Sequence, residues 1–292
     1  MLVSPEQQSR WNAIIIDVFR KFIEICRQNN LTYFCCGGTA IGAVRHNGII
    51  PWDDDIDVFM PRPDYDAFLQ LASKEDWGDY ELKTPYNTCN YPMYFSKLCS
   101  KKTSLIEIAE HPFLMGLYID IFPLDGASDS KDEAIRHQAQ FRHVMNKLEA
   151  VSTHNTFVEY ISLLTKPKEW GRFFRKTYAF FYRRHYRCSI IKQLDSICRH
   201  YDYATSHNVM AYSGSYGERE VFPKEWTHGI VEFPFESLTV NLFKGYDAYL
   251  CQLYGNYMQL PPVEKRVSHH YKAFFDLDKR ISFKDAIKAI KD

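Results

Sequence analysis

Between Glu6 and Gln28 the residues Trp11, Ile14, Ile15, Val18, Phe19, Phe22 and Ile23 recur at spacings of three and four. That period predicts an amphipathic helix whose apolar stripe packs on the sheet formed by the next segments of chain. Leu31 to Cys36 reads as a short β-prone run stopped by Gly37-Gly38, and Ala40 to Val44 has the character of a short helix. After the turn at Gly48 and Pro51, a second strand is expected at Asp55 to Phe59. A helix then runs from Arg62 to Ser73, with Tyr65, Phe68 and Leu71 on one face and Pro61 and Pro63 marking its start. Further strands are expected at Tyr94 to Leu98 and at Leu117 to Phe122, the latter closed by Pro123.

From Ser130 to about Asn208 the pattern changes to long, charged and aromatic helical segments, the first at Asp132 to Leu148. Short strand-like runs and turns return from Met210 to Pro262. The pattern predicts an α+β chain: a mixed sheet flanked by helices, its core at about 6–129 and 209–270, with a helical insertion at about 130–208. No internal repeat or low-complexity tract interrupts it.

Composition narrows the function classes. The 292 residues are 46% hydrophobic and 16% aromatic, enough for a sizeable core. Lys plus Arg balances Asp plus Glu at 36 each, so no whole-chain field points to nucleic acid. Charges interrupt the first apolar positions, so no secretion signal is visible, and no run reaches the length of a membrane-spanning helix. The chain is expected in the cytoplasm, or peripherally at the inner face of the membrane. Cys26, Cys35, Cys36, Cys89, Cys99, Cys188, Cys198 and Cys251 form no CxxC pair and read as reduced, mostly buried thiols.

The candidate chemistry lies in the acidic turn Trp52-Asp53-Asp54-Asp55-Ile56-Asp57-Val58. In an extended segment the period of two aims Asp55 and Asp57 at one face, while Ile56 and Val58 enter the core. Two carboxylates about 4 Å apart repel by on the order of 4 kcal/mol at an effective dielectric near 20, so they must share a proton or a cation. A solvated acidic loop is the competing reading, and the flanking Trp52, Ile56, Val58 and Phe59 argue against it. Asp120 is the one charge in the apolar run Leu117 to Phe122, and alternation lets it reach Asp55 and Asp57 from an adjacent strand. These three are the candidate catalytic residues and ligands of Mg2+ or Mn2+, with Asp120 also the candidate base.

Around the carboxylates stand candidate substrate contacts. Gly37, Gly38 and Thr39 would let backbone N–H groups and a hydroxyl approach phosphate, although an ordinary strand-to-helix turn has the same composition. Arg45 and Lys97 are candidate phosphate clamps, and lone surface cations the alternative. His46, Trp52, His269 and His270 complete the set, each with a packing role as its plainer reading.

Gly37-Gly38-Thr39 together with Arg45-His46-Asn47-Gly48-Ile49-Ile50-Pro51-Trp52-Asp53-Asp54-Asp55-Ile56-Asp57 closely resembles the LicD family of phosphocholine transferases, relatives of the fukutin-related sugar-phosphate transferases. Ile119-Asp120-Ile121-Phe122-Pro123-Leu124-Asp125-Gly126 resembles its second block, and Tyr254 to Pro262, continued by Arg266 and His269-His270, its closing block. Asn256 departs from the aspartate common there. The resemblance implies a single nucleotidyltransferase-like catalytic domain and a metal triad of Asp55, Asp57 and Asp120. It also implies transfer of a phosphocholine-like group from CDP-choline or a related CDP-alcohol to a glycan or glycolipid hydroxyl, with release of CMP. The triad alone fits nucleotidyl transfer from CTP equally well, and a non-catalytic glycan-binding relative is the third reading.

Between Lys166 and Lys192, Trp170, Phe174, Tyr178 and Phe181 share one helical face, and Lys168, Arg172, Arg175, Lys176, Arg183 and Arg187 gather mostly on the other. Two readings stay open: contact with an anionic membrane surface, or a helix packed by its aromatics with its cations solvated.

Overall fold

Ser4 starts the first helix with a capping box: its hydroxyl accepts from the Gln7 N–H, and the Gln7 side chain accepts from the Ser4 N–H. A computed structural model describes residues 4–109, 113–152, 164–167, 170–267 and 272–291. Helix α1 (Pro5–Gln28) buries Trp11, Ile15, Val18, Phe19 and Phe22. It lies against the sheet strands β4 (Ser96–Ser100) and β6 (Tyr118–Ala127).

The main sheet runs β1 (Phe34–Cys35), β2 (Asp57–Pro61), β6, β4, β3 (Tyr80–Lys83). Among the described residues of this sheet only β2 and β6 pair in parallel; β1 with β2, β4 with β6 and β3 with β4 are antiparallel. Helix α3 (Arg62–Ala72) follows β2 and packs back on β2 and β6. The expected α+β class with a mixed sheet is therefore the one observed.

The boundaries differ in ways that matter. β2 begins at Asp57, two residues later than expected, so Asp55 lies in the turn before it. Helix α2 (Gly37–Ile41) begins at the glycine pair and widens into a π-helical turn at Gly42–His46. β6 does not stop at Pro123. On one side it pairs with β2 throughout its central stretch, Met60 facing Pro123. On the other its partner changes from β4, which ends opposite Ile121, to β7 (Asn208–Met210), which starts opposite Asp125. Pro123 falls where no strand on that side needs its missing N–H. The sheet then continues to β8 (Val221–Pro223).

Helices α4 (Lys131–Ser152) and α5 (Trp170–Cys198) occupy the segment expected as an insertion and pack on each other. Phe141, Val144, Leu148, Ile190, Ile191 and Leu194 form a second apolar cluster, which reaches the sheet through Ala127, Met210 and Tyr212. Arg187 corrects the expected face of solvated cations. It is buried and donates to the carbonyls of Pro85 and Tyr91 at 3.2 and 2.7 Å. Trp170 and Phe174 are exposed, whereas Lys168 and the side chains of Arg172, Arg175, Lys176, Tyr178, Phe181 and Arg183 lie outside the described residues. No described helix is long and apolar enough to cross a membrane. The eight cysteines are free thiols, five of them buried.

Two smaller pairings complete the frame. β5 (Ser104–Ile106) pairs with β11 (Phe274–Asp276), followed by α7 (Phe283–Lys291). β9 (Ile230–Phe235) and β10 (Leu238–Phe243) form a hairpin, followed by α6 (Tyr246–Tyr254). The hairpin tip docks on the loop before the acidic turn: the Glu236 N–H donates to the Asn47 carbonyl at 2.8 Å, and its carboxylate accepts from the Ile49 N–H at 3.0 Å.

Candidate active site

Asp57 and Asp120 are register partners on the parallel strands β2 and β6. Lys97 on β4 is the register partner of Asp120 on its other side, so a row Asp57–Asp120–Lys97 crosses the sheet. Ile56 and Val58, fully buried, hold this end of β2 in the core. The Asp120 N–H donates to the Ile56 carbonyl at 2.8 Å, and the Cys36 N–H donates to the Asp57 carbonyl at 3.1 Å. Thr39, expected as a phosphate contact, is buried, and its hydroxyl accepts from the Asp57 N–H at 2.8 Å. It fixes the backbone of a carboxylate residue.

The carboxylate oxygens of Asp55, Asp57 and Asp120 lie within 4.8 Å of one another, Asp55 and Asp57 half-buried and Asp120 buried. Asp55 precedes β2, yet burial alternates from Asp55 through Val58 as expected, with Ile56 and Val58 in the core, and the three carboxylates converge. A set of hard oxygen donors from three carboxylates suits Mg2+ or Mn2+ and not a thiol-loving metal.

Lys97 is 1% exposed and not a surface clamp. Its ammonium lies 2.8 Å from Asp120 Oδ1, 3.7 Å from Glu107 Oε2 and 3.4 Å from the centre of the Tyr118 ring. Burial alone would push its pKa down; the Asp120 and Glu107 carboxylates more than offset that and hold it above the ordinary lysine value. Tyr118 in turn donates its hydroxyl to Glu107, and its pKa is driven up by burial and then by the Glu107 and Asp120 charges.

The glycine pair adjoins these carboxylates. Gly37 has φ +54°, and a Cβ there would stand 3.4 Å from Asp57 Oδ2 and 3.6 Å from the Tyr254 hydroxyl. A Cβ on Gly38 would collide with Asp53 Oδ2. The absent side chains therefore make room first for the protein's own acidic groups. Asp54, buried, is ion-paired with the buried Lys272, and its carbonyl accepts from the Trp11 indole at 2.8 Å. That contact ties the middle of the acidic turn to α1.

Arg45 braces the closing block: its guanidinium donates to the carbonyls of Tyr257 and Gln259 and, at 3.3 Å, to His46 Nδ1. Burial and then the Arg45 charge lower the His46 pKa below the ordinary histidine value. Trp52 is edge-on to His46 at 5.9 Å and lies under the Arg266 guanidinium at 5.4 Å. His269 and His270 lie outside the described residues. Asn256 is exposed.

Sequence reasoning missed Glu107, Lys272 and Tyr254. Tyr254 heads the closing block, which was the available signal. Glu107 and Lys272 lie far along the chain from their partners, and nothing in their own neighbourhood marks them.

The family model described as "LicD/FKTN/FKRP, nucleotidyltransferase domain" matches residues 30–160, a span that holds all three carboxylates and Lys97. The chain is also 27% identical, over 280 residues, to the lipopolysaccharide cholinephosphotransferase LicD of Haemophilus influenzae, covering 94% of this chain and 99% of that protein. Over these spans the chain is similar to the LicD family. Two uncharacterised rickettsial proteins share shorter stretches. One, from Rickettsia typhi, is 40% identical over 60 residues, 20% of this chain and 19% of its own length. The other, from Rickettsia prowazekii, is 37% identical over 68 residues, 23% of this chain and 26% of its own. The converging aspartates all lie in the matched span, where its motifs meet in space.

Proposed function

We propose that the chain is a divalent-cation-dependent transferase that moves phosphocholine, or a similar alcohol phosphate, from a CDP-linked donor to a hydroxyl of a cell-surface glycan or lipooligosaccharide precursor. The observation that carries this reading is the convergence of Asp55, Asp57 and Asp120 within 4.8 Å in the span similar to the LicD family. Mg2+ or Mn2+ held by these carboxylates would neutralise the donor pyrophosphate.

In the reaction the acceptor oxygen bonds to the distal phosphorus, the bond from that phosphorus to the CMP oxygen breaks, and a carboxylate takes the acceptor's proton. Asp120 is the candidate to take that proton, with the Lys97 ammonium 2.8 Å from its Oδ1. Arg45 acts through the loop it braces, so its effect on the donor is indirect.

The test compares two donors with the same enzyme, Mg2+ and a lipooligosaccharide acceptor. CMP release from CDP-choline is expected, and Asp57→Ala should abolish it while near-UV circular dichroism is unchanged. Pyrophosphate release from CTP, with none of CMP from CDP-choline, would replace this reading by nucleotidyl transfer.

A further inference from the structure

The residue in this site that its proposed chemistry does not require is Lys97. A lysine side chain 2% exposed in the middle of a sheet, beside an aspartate that the reaction would use, calls for a reason of its own. Its ammonium is held by Asp120 at 2.8 Å, Glu107 at 3.7 Å, the Tyr118 ring at 3.4 Å and the Phe95 ring at 5.4 Å. Such a cation is immobile and desolvated. It occupies one oxygen of Asp120 from the β4 side, while Asp57 and Asp55 approach from the β2 side.

We propose that Lys97 is a resident positive charge of the carboxylate cluster, so that Asp55, Asp57 and Asp120 take a single divalent cation and the lysine holds the place of a second. The inference rests on the metal-dependent reading above. The charges agree with it: Asp55, Asp57, Asp120 and Glu107 against one ammonium leave three negative charges, so one divalent ion leaves the cluster with one and a second would reverse its sign. Glu107, the ammonium's other partner, also receives the Tyr118 hydroxyl, which fixes its orientation. Lys97 is thus a positioning residue that reaches the substrate only through Asp120.

Binding of Mn2+ to the metal-free protein tests this without any turnover. Calorimetry and electron paramagnetic resonance should count one Mn2+ per wild-type chain, with no coupling between manganese ions. Lys97→Gln, which keeps a hydrogen-bond donor beside Asp120 but not the charge, should bind its first Mn2+ at least about tenfold more tightly, because a repelling cation has been removed. It should also admit a second ion. Lys97→Arg should behave as wild type. Two coupled ions in the wild type would overturn the inference, as would an unchanged or weaker affinity in Lys97→Gln. If Lys97→Gln is unfolded without metal, Mn2+ should restore its folded circular dichroism, and failure to do so counts against the inference. No Mn2+ binding to wild type at all would instead sink the metal reading itself.

Discussion

Asp57 and Asp120 face each other across the parallel pairing of β2 and β6 in the main sheet, and Lys97 sits against only one of them. The two aspartates therefore differ energetically although they belong to one cluster. In metal-free protein, Asp57→Asn should raise stability by about 1 kcal/mol, since it removes a repelling charge from a half-exposed position. Asp120→Asn should lower stability by about 3 kcal/mol, because it leaves the buried Lys97 without its nearest counter-charge. Urea denaturation in the presence of a chelator reads both, and equal signs for the two variants would contradict the asymmetry.

Asp125 lies in the same sequence block as Asp120 but belongs to a different structure. It forms a two-pronged ion pair with Arg62, Nε to Oδ1 at 2.5 Å and Nη2 to Oδ2 at 2.8 Å, both residues buried. Arg62 also reaches Asp66 at 3.4 Å, and Asp66 takes both terminal nitrogens of Arg199. The pair fastens α3 to β6. Arg62→Met should cost about 3–5 kcal/mol, since Asp125 is left buried and uncompensated. The double variant Arg62→Met/Asp125→Leu should recover much of that loss. A double-mutant cycle by urea denaturation measures the coupling, and additive losses would mean that the pair is not the source.

The elements closest to the chemistry were the most legible in the sequence. The stripe from Trp11 to Ile23, the glycine stop after the first strand and the lone Asp120 in an apolar strand each carry a local signal, and all three lie where that signal put them. What escaped notice depended on distance along the chain. Lys97 read as a phosphate clamp or a lone surface cation because its carboxylate partners, Glu107 and Asp120, come from other segments of the chain. Arg187 looked like one of a row of solvated cations because helical spacing does not reveal the carbonyls of Pro85 and Tyr91. Pro123 looked like a strand end because the change of partner from β4 to β7 is a property of the sheet.

The glycine pair offers a test on the scale of a methyl group. At Gly37 the positive φ strains any L side chain, although a Cβ would stand at ordinary contact with Asp57 and Tyr254. At Gly38 a methyl group meets Asp53. Gly37→Ala and Gly38→Ala should each cost about 1–3 kcal/mol of stability. Each should also weaken Mn2+ binding, Gly38→Ala by displacing Asp53 in the acidic turn and Gly37→Ala by shifting a strained backbone beside Asp57. Gly78, also at positive φ but with nothing near its missing side chain, is the control: Gly78→Ala should lose stability without altering metal affinity.

Glu220 supplies a pH dependence that can be separated from the rest of the chain. Burial drives its pKa from an ordinary 4.5 up to about 7, against the opposing effects of the Tyr216 N–H, which donates to Oε1 at 3.1 Å, and of Arg142 and Arg219. The folded protein therefore holds this proton more tightly than the unfolded chain does. Stability from the protonated group is fully present below pH 4.5, declines as pH rises and is lost above about 7, a change of about 3 kcal/mol. Glu220→Gln keeps an acceptor for the Tyr216 N–H and cannot ionise. The variant should match wild type near pH 5 and exceed it by about 2–3 kcal/mol at pH 8, because only the wild type must bury a charge there. Urea denaturation of both proteins across that range isolates the group, since every other titration is common to the two. A stability difference that stays constant from pH 5 to 8 would show that Glu220 is already ionised in the fold, stabilised by Arg142 and Arg219 beyond what its burial opposes.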